Sequence, residues 1–459
     1  MLRFYDYYVM EGDSMKEMTV MYRRAVSVCL LLLFSSALSG CGGGSENEPS
    51  GSGTVPPAVT GEYVVFAWND LGMHCLNPTY DTAVILPPYN NLVAQVVQKG
   101  NPPRIVASGV TVDYRILNNT YSSGKKDSFG AVFSQFWSNA LSLFGINLTI
   151  DKGLNLVDPG VHNGLSGQML AKGDHFAADG IPVTPVEDDG KWNPYQVAEI
   201  SVKDASGRVL ATTRATVPTS DEINCQKCHG ADPFNDLLRR HDELHGTALM
   251  TQKPVLCADC HGSPALGKSG PGSSGKYLSY AIHNSHASRG ASCYDCHPGT
   301  TTKCSRSIAH TAQDGNCATC HGSMQQVADS ITGGRIPWAS EPTCLSCHNV
   351  SGVNTGSVLY RNAKGHGNLF CASCHGSPHA MVPTDQPSDN YQAIQYQGKA
   401  KTIGSCGACH RSSRGEGLSE FGEVHGGAAP KHRNACHICH TEVSSNTAGW
   451  PHAFQWKAR

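Results

Sequence analysis

The pentapeptide Cys225-Gln226-Lys227-Cys228-His229 recurs as Cys257-x-x-Cys260-His261, Cys293-x-x-Cys296-His297, Cys317-x-x-Cys320-His321, Cys344-x-x-Cys347-His348, Cys371-x-x-Cys374-His375, Cys406-x-x-Cys409-His410 and Cys436-x-x-Cys439-His440. Two cysteines three positions apart lie on one side of a helical turn. Each can form a thioether to a vinyl group of haem, and the adjoining imidazole can bind the iron as proximal ligand. Zinc is the competing reading of paired Cys-x-x-Cys units, but a Cys₄ site gives no reason for a His after every pair. The motif therefore predicts eight covalently bound haem c groups, each held by two of these sixteen cysteines and one of these eight histidines.

Outward from the motifs, the composition separates two regions. The chain has 459 residues and a 39% hydrophobic fraction, which argues for several folded domains. Lys and Arg number 35 against 37 Asp and Glu, so no basic surplus favours nucleic acid as a partner. Of the 20 cysteines, 17 fall in residues 221–459. Successive motifs start 32, 36, 24, 27, 27, 35 and 30 residues apart, which is no solenoid period. About thirty residues per haem cannot build a conventional core, so 221–459 is predicted to be an octahaem cytochrome c domain with short helices and little regular secondary structure. One such helix is bracketed by Asp232 as N-cap, Pro233 at its first position and Gly246 as terminator, with His241 and His245 on one face.

Distal ligands decide between a wire and an enzyme. Beyond the motifs this region holds eleven histidines for eight irons. The preferred distal set is His245, His283, His286, His310, His366, His379, His425 and His452, leaving His241, His432 and His437 as spares. Methionine is scarce here, with only Met250, Met324 and Met381, so mainly His/His ligation and a low potential are expected. Such a chain carries electrons. The alternative is an octahaem reductase of a small nitrogen or sulfur oxyanion, which needs one iron with an open position; no catalytic residue is assigned.

Residues 61–220 read as a mainly β domain, for which an immunoglobulin-like sandwich is the expected arrangement. The strands fall at 62–68, 91–98, 104–117, 196–203 and 208–217, the last pair joined by Asp204-Ala205-Ser206-Gly207. The spaced Phe, Trp and Leu of 129–144 predict one helix covering an edge. Residues 1–40 have the layout of an export signal: Arg23 and Arg24, then the apolar run Ala25–Phe34, too short for a bilayer. Residues 41–60 are a Gly-, Ser- and Pro-rich linker.

Two resemblances extend this reading. Leu38-Ser39-Gly40-Cys41 resembles a bacterial lipobox, which implies lipidation of Cys41 and a mature chain anchored at the outer membrane or cell surface. The eight motifs, Cys293–Gly299 followed by Cys304, Trp450-Pro451-His452 and Trp68-Asn69-Asp70-Leu71-Gly72-Met73-His74-Cys75 resemble exported multihaem c-type cytochromes of metal-reducing bacteria. That resemblance spans about 61–459. It implies extracellular or periplasmic electron transfer towards other cytochromes or a terminal acceptor such as metal oxide. It departs from multihaem nitrite and tetrathionate reductases, whose catalytic haem commonly takes a Lys, because all eight motifs end in His.

Cys75 and Cys304 are left over in an oxidising compartment. A disulfide between them is one reading. A metal site at Met73, His74 and Cys75 is another, and a reach of His74 to a neighbouring haem is a third. His162 and His175 read as ordinary loop residues.

Overall fold

A computed structural model describes residues 61–411, apart from 101, 129, 224, 300, 312–316 and 349–357, together with strands at 440–442 and 455–456. The export signal, Cys41, the linker, Cys436, Cys439, His425, His432, His437, His452 and the side chains of Cys406 and His440 lie outside the described residues.

The N-terminal part is rich in antiparallel sheet. Its strands are β1 (Tyr63–Trp68), β2 (His74–Cys75), β3 (Ala83–Val84), β4 (Asn90–Gln98), β5 (Arg104–Val106), β6 (Thr111–Ile116), β7 (Ser166–Gln168), β8 (Leu170–Ala171), β9 (Phe176–Ile181), β10 (Val197–Lys203), β11 (Val209–Thr216) and β12 (Thr219–Ser220). One sheet runs β1-β4-β9-β8 with β5 also paired to β4, and the other runs β11-β10-β6-β7. Inward residues of both sheets, among them Val65, Leu92, Val96, Val112, Phe176, Ile200 and Val202, form one apolar core. Strand β10 alternates buried and half-buried positions, as a strand with one face on a core must.

The predicted strand 104–117 is two strands. It breaks at Gly109, whose φ of +75° suits a turn, and β5 and β6 join different sheets. The central strand β9 was not predicted: Phe-Ala-Ala-Asp-Gly-Ile has few β-branched residues and a Gly. The helix read at 129–144 is α1, Ser134–Phe144, ended by Gly145 in the left-handed region. It packs into a second core with Leu76, Tyr80, Val84 and Leu154 rather than covering a sheet edge, and Leu256, Ala258 and Leu266 of the cysteine-rich part join that core.

The cysteine-rich part has short helices: α2 (Pro233–His245), α3 (Leu278–Ala287), α4 (Met324–Thr332) and α5 (Tyr391–Gln397). Helix α2 starts at Pro233 and stops at Gly246, as read, although the Asp232 carboxylate accepts from the Asn235 side chain instead of capping the backbone. The two parts meet on the outer face of β1. Strand β1 is buried on both faces, which explains its unbroken apolar run: Val65 and Ala67 enter the sheet core, whereas Val64, Phe66 and Trp68 pack against Tyr360, Phe370 and Ala372. Helix α5 closes the free edge of β1. The Gln392 amide both accepts from the Ala67 N–H and donates to the Ala67 carbonyl, and the Tyr396 hydroxyl donates to the Val65 carbonyl.

Candidate haem-binding sites

Each of the first seven motifs contains a single helical turn, and the turn gathers its two cysteines and its histidine. In the motifs beginning at Cys225, Cys257, Cys293, Cys317 and Cys344, the first cysteine's carbonyl accepts the N–H of the second cysteine at 3.2–3.4 Å and of the histidine at 2.8–3.0 Å. Cys371–His375 is a short α-helix, and Cys406–Ala408 is one turn of 3₁₀ helix.

Six motif histidines each stand opposite a second imidazole. The ring centroids are 6.3 Å apart for His229 and His286, 6.3 Å for His261 and His241, and 6.3 Å for His297 and His283. They are 6.1 Å apart for His321 and His379, 6.1 Å for His348 and His310, and 6.3 Å for His410 and His366. Two imidazoles bound on opposite sides of one metal ion by bonds of about 2 Å, with each centroid roughly 1.15 Å behind its nitrogen, have centroids about 6.3 Å apart. The interplanar angles spread from 13° to 79°, so the common feature is the separation and not ring stacking.

The second ring nitrogen of six of these twelve side chains is tied down. His283 Nδ1 donates to the Ser279 carbonyl at 2.6 Å, His286 Nδ1 to the Ile282 carbonyl at 2.8 Å and His379 Nδ1 to the Leu71 carbonyl at 3.2 Å. His229 Nδ1 meets the Asp236 carboxylate at 2.8 Å, His241 Nδ1 meets Thr247 Oγ1 at 2.9 Å, and His261 Nδ1 meets Ser274 Oγ at 2.9 Å. A histidine held at Nδ1 presents Nε2 to a metal with its ring orientation fixed. Burial pushes His297 and His379 down to about 4 and also lowers His241, His283, His321 and His410, so these rings are neutral at pH 7, the form that ligates.

His241, a spare in the sequence reading, is the ring opposite His261. His245, placed in the distal set, lies 4.9 Å from His241 on the same face of α2. A face shared at i and i+4 offers two equivalent candidates, and the Thr247 hydroxyl that orients His241 lies beyond the helix end, where periodicity carries no signal. Pairs for His375 and His440 are not described.

Shared elements join neighbouring motifs. Helix α2 carries both Asp236, which holds His229, and His241, which faces His261. Helix α3 carries His283 and His286, three residues apart, which face His297 and His229. Lys227 and Asp295, the third residues of the first and third motifs, form an ion pair. Helix α3 packs on α4, which directly follows His321. Cys344, Cys371 and Cys409 all pack against the apolar cluster around Phe370. Among the described residues no group of three or more His, Cys, Asp or Glu side chains could hold a metal ion.

The remaining candidates lie apart from these pairs. His74 Nε2 meets the Asp70 carboxylate at 3.2 Å. His162 bonds the Gly153 carbonyl, and His175 bonds Asp174 and meets Phe370 edge-on. Cys75 and Cys304 are unbridged thiols. Both are pushed up by burial, Cys304 to about 11, and Cys304 is close enough to raise Cys75 further. No helix among the described residues is long and apolar enough to cross a membrane. Comparison with family models, curated proteins and solved structures finds no match to this chain.

Proposed function

We propose that the chain is an exported electron-transfer protein that binds eight haems c. When bound, each haem supplies a one-electron Fe(III)/Fe(II) couple. The observation that carries this reading is the set of six imidazole pairs with centroids 6.1–6.3 Å apart, every pair containing a motif histidine. The proximal ligands are His229, His261, His297, His321, His348, His375, His410 and His440. Opposite the first five and the seventh stand His286, His241, His283, His379, His310 and His366, so His241 replaces His245 in the distal set. His425 and His452 remain the candidates for His375 and His440.

The chain's own residues prepare these sites. They set ligand orientation through Nδ1, keep His241, His283, His297, His321, His379 and His410 neutral by burial, and hold consecutive sites together through α2, α3 and the Lys227–Asp295 pair. At these six sites two imidazoles would hold each iron and would leave no position for substrate, which favours carriage of electrons over catalysis. The two-sheet core of 61–220 supports the immunoglobulin-like sandwich, which serves as the platform on which the haem region docks. Lipidation at Cys41 would keep the chain at the outer membrane or cell surface, within reach of other cytochromes or extracellular acceptors. In that oxidising setting Cys75 and Cys304 would close a disulfide between the two regions.

The test is intact mass and low-temperature EPR of the mature, oxidised protein. Eight haem adducts with all irons low-spin are expected. His241→Ala should convert about one-eighth of the iron to high spin, whereas His245→Ala should leave the spectrum unchanged. A mass without haem adducts would overturn the reading, and a high-spin fraction near one-eighth in the unaltered protein would turn it to the reductase.

A further inference from the structure

Trp68-Asn69-Asp70-Leu71-Gly72-Met73-His74-Cys75 belongs to no haem motif, yet it closes on one of the paired histidines. The Leu71 carbonyl accepts the Nδ1–H of His379 at 3.2 Å. The next residue, Gly72, has φ +91°, and a Cβ there would lie 1.7 Å from the Pro378 carbonyl oxygen and 3.3 Å from His379 Cβ. Only glycine lets the two backbones approach this closely. The Asn69 side chain fixes the bend by accepting the Gly72 N–H at 2.6 Å.

Arg306 binds the two sides together. Its guanidinium donates to the Gly72 carbonyl at 2.7 Å, and its own N–H donates to the His379 carbonyl at 2.7 Å. The side chain is 1% exposed and is held in turn by the Asp389 carboxylate at 2.7 and 3.2 Å. His379 itself sits at φ +61°, after Pro378, in the two-residue turn joining the short strands Gly376–Ser377 and Ala380–Met381. A histidine in the left-handed region costs energy and persists where its surroundings hold it. Its ring, its carbonyl and its neighbour Pro378 are all held by this assembly.

We infer that the Leu71–Gly72 segment of the β region, locked by Arg306, is a clamp that sets the orientation and basicity of His379, and through it the potential of the haem site formed by His321 and His379. The inference rests on the haem reading of that pair. Leu71, Gly72 and Arg306 are positioning residues. A hydrogen bond from Nδ1–H to a carbonyl raises the basicity of the ligating nitrogen and stabilises the oxidised metal. Weakening the clamp therefore raises the potential of this one site. The β region thereby tunes the site in which the hairpin following His375 reaches back to His321.

The experiment uses the full mature protein. His379→Ala first marks the EPR species belonging to this site, by loss of one-eighth of the low-spin intensity. Gly72→Ala should then change the g-values of that same species and raise its midpoint potential, with the other seven sites and the haem count unchanged. Arg306→Lys keeps the charge against Asp389 but cannot span Asp389 and the Gly72 carbonyl, so it should give the same change, smaller, and it carries the test if Gly72→Ala does not accumulate. If His379→Ala leaves every low-spin species intact, the axial assignment fails, and the clamp with it. If His379→Ala removes one species that Arg306→Lys and Gly72→Ala leave at its original g-values and potential, the clamp alone is overturned.

Discussion

The β region and the cysteine-rich region solve the burial problem differently. In the first, Val64, Val65, Leu92, Val96, Ile181, Ile200 and Val202 are fully buried in cores the chain builds from its own side chains. In the second, the ten residues of α3 bury only Leu278, and the nine of α4 only Ala328 and Ile331. Its histidines and cysteines occupy positions that a conventional helix would give to Leu or Ile. The β region therefore rests on its own apolar side chains, whereas on the proposed reading the cysteine-rich region would depend on the haems it binds and on what it docks against.

Withholding haem should separate the two most sharply. In a chain matured without haem, hydrogen exchange is expected to show α2, α3 and α4 exchanging at rates close to those of an unfolded chain, while β4, β6 and β10 keep their protection. Equal protection of both regions would break the comparison. The next largest effect should come at the seam. Phe66 is 1% exposed and packs edge-on against Tyr396 at 5.1 Å, so Phe66→Ala should cost about 3–5 kcal/mol in denaturant unfolding. It should loosen the haem region as well as β1, which a shift of the Soret band at sub-denaturing urea would report.

Gln392→Ala sharpens the same seam. It removes the amide that serves as a strand partner for Ala67 and leaves that N–H and carbonyl unsatisfied, a loss of about 1–3 kcal/mol. Exchange at Ala67 should rise while the His321–His379 signature stays constant, because Gln392 touches no paired histidine. A spectral change at that site would mean that the edge of β1 and the Leu71–Gly72 clamp act as one unit.

How far the fold could be read in advance follows the same divide. Strands β1, β4, β10 and β11 were legible because apolar runs or alternation carried them. β9 was not, since its Ala, Asp and Gly are chosen for close packing: a Cβ at Gly180 would lie 2.3 Å from the Leu154 carbonyl oxygen. The motif turns were legible because the Cys-x-x-Cys-His spacing recurs without change. Which of the two α2 imidazoles stands opposite His261 was not, because His241 is held by Thr247 beyond the helix end, and the Leu71–Gly72 contact with His379 spans more than 300 residues of sequence.

The smallest effect probes whether the β region's stability answers to its own side chains alone. Burial, reinforced by the charge of Asp70, raises Asp179 on β9 above the ordinary carboxylate value of 3.8. The folded chain therefore holds this proton more tightly than the unfolded chain does. The protonated group favours folding below the unfolded value, and that contribution is lost as pH rises through the raised value. Asp179→Asn removes the ionisable group, so the urea midpoint of the variant should exceed that of the parent at pH 7 and converge with it near pH 3. The oxidised haem spectrum should be the same for both chains at both pH values, since none of the charges that act on Asp179 is a paired histidine. A midpoint difference that persists undiminished at the lower pH would assign the effect to shape and not to charge.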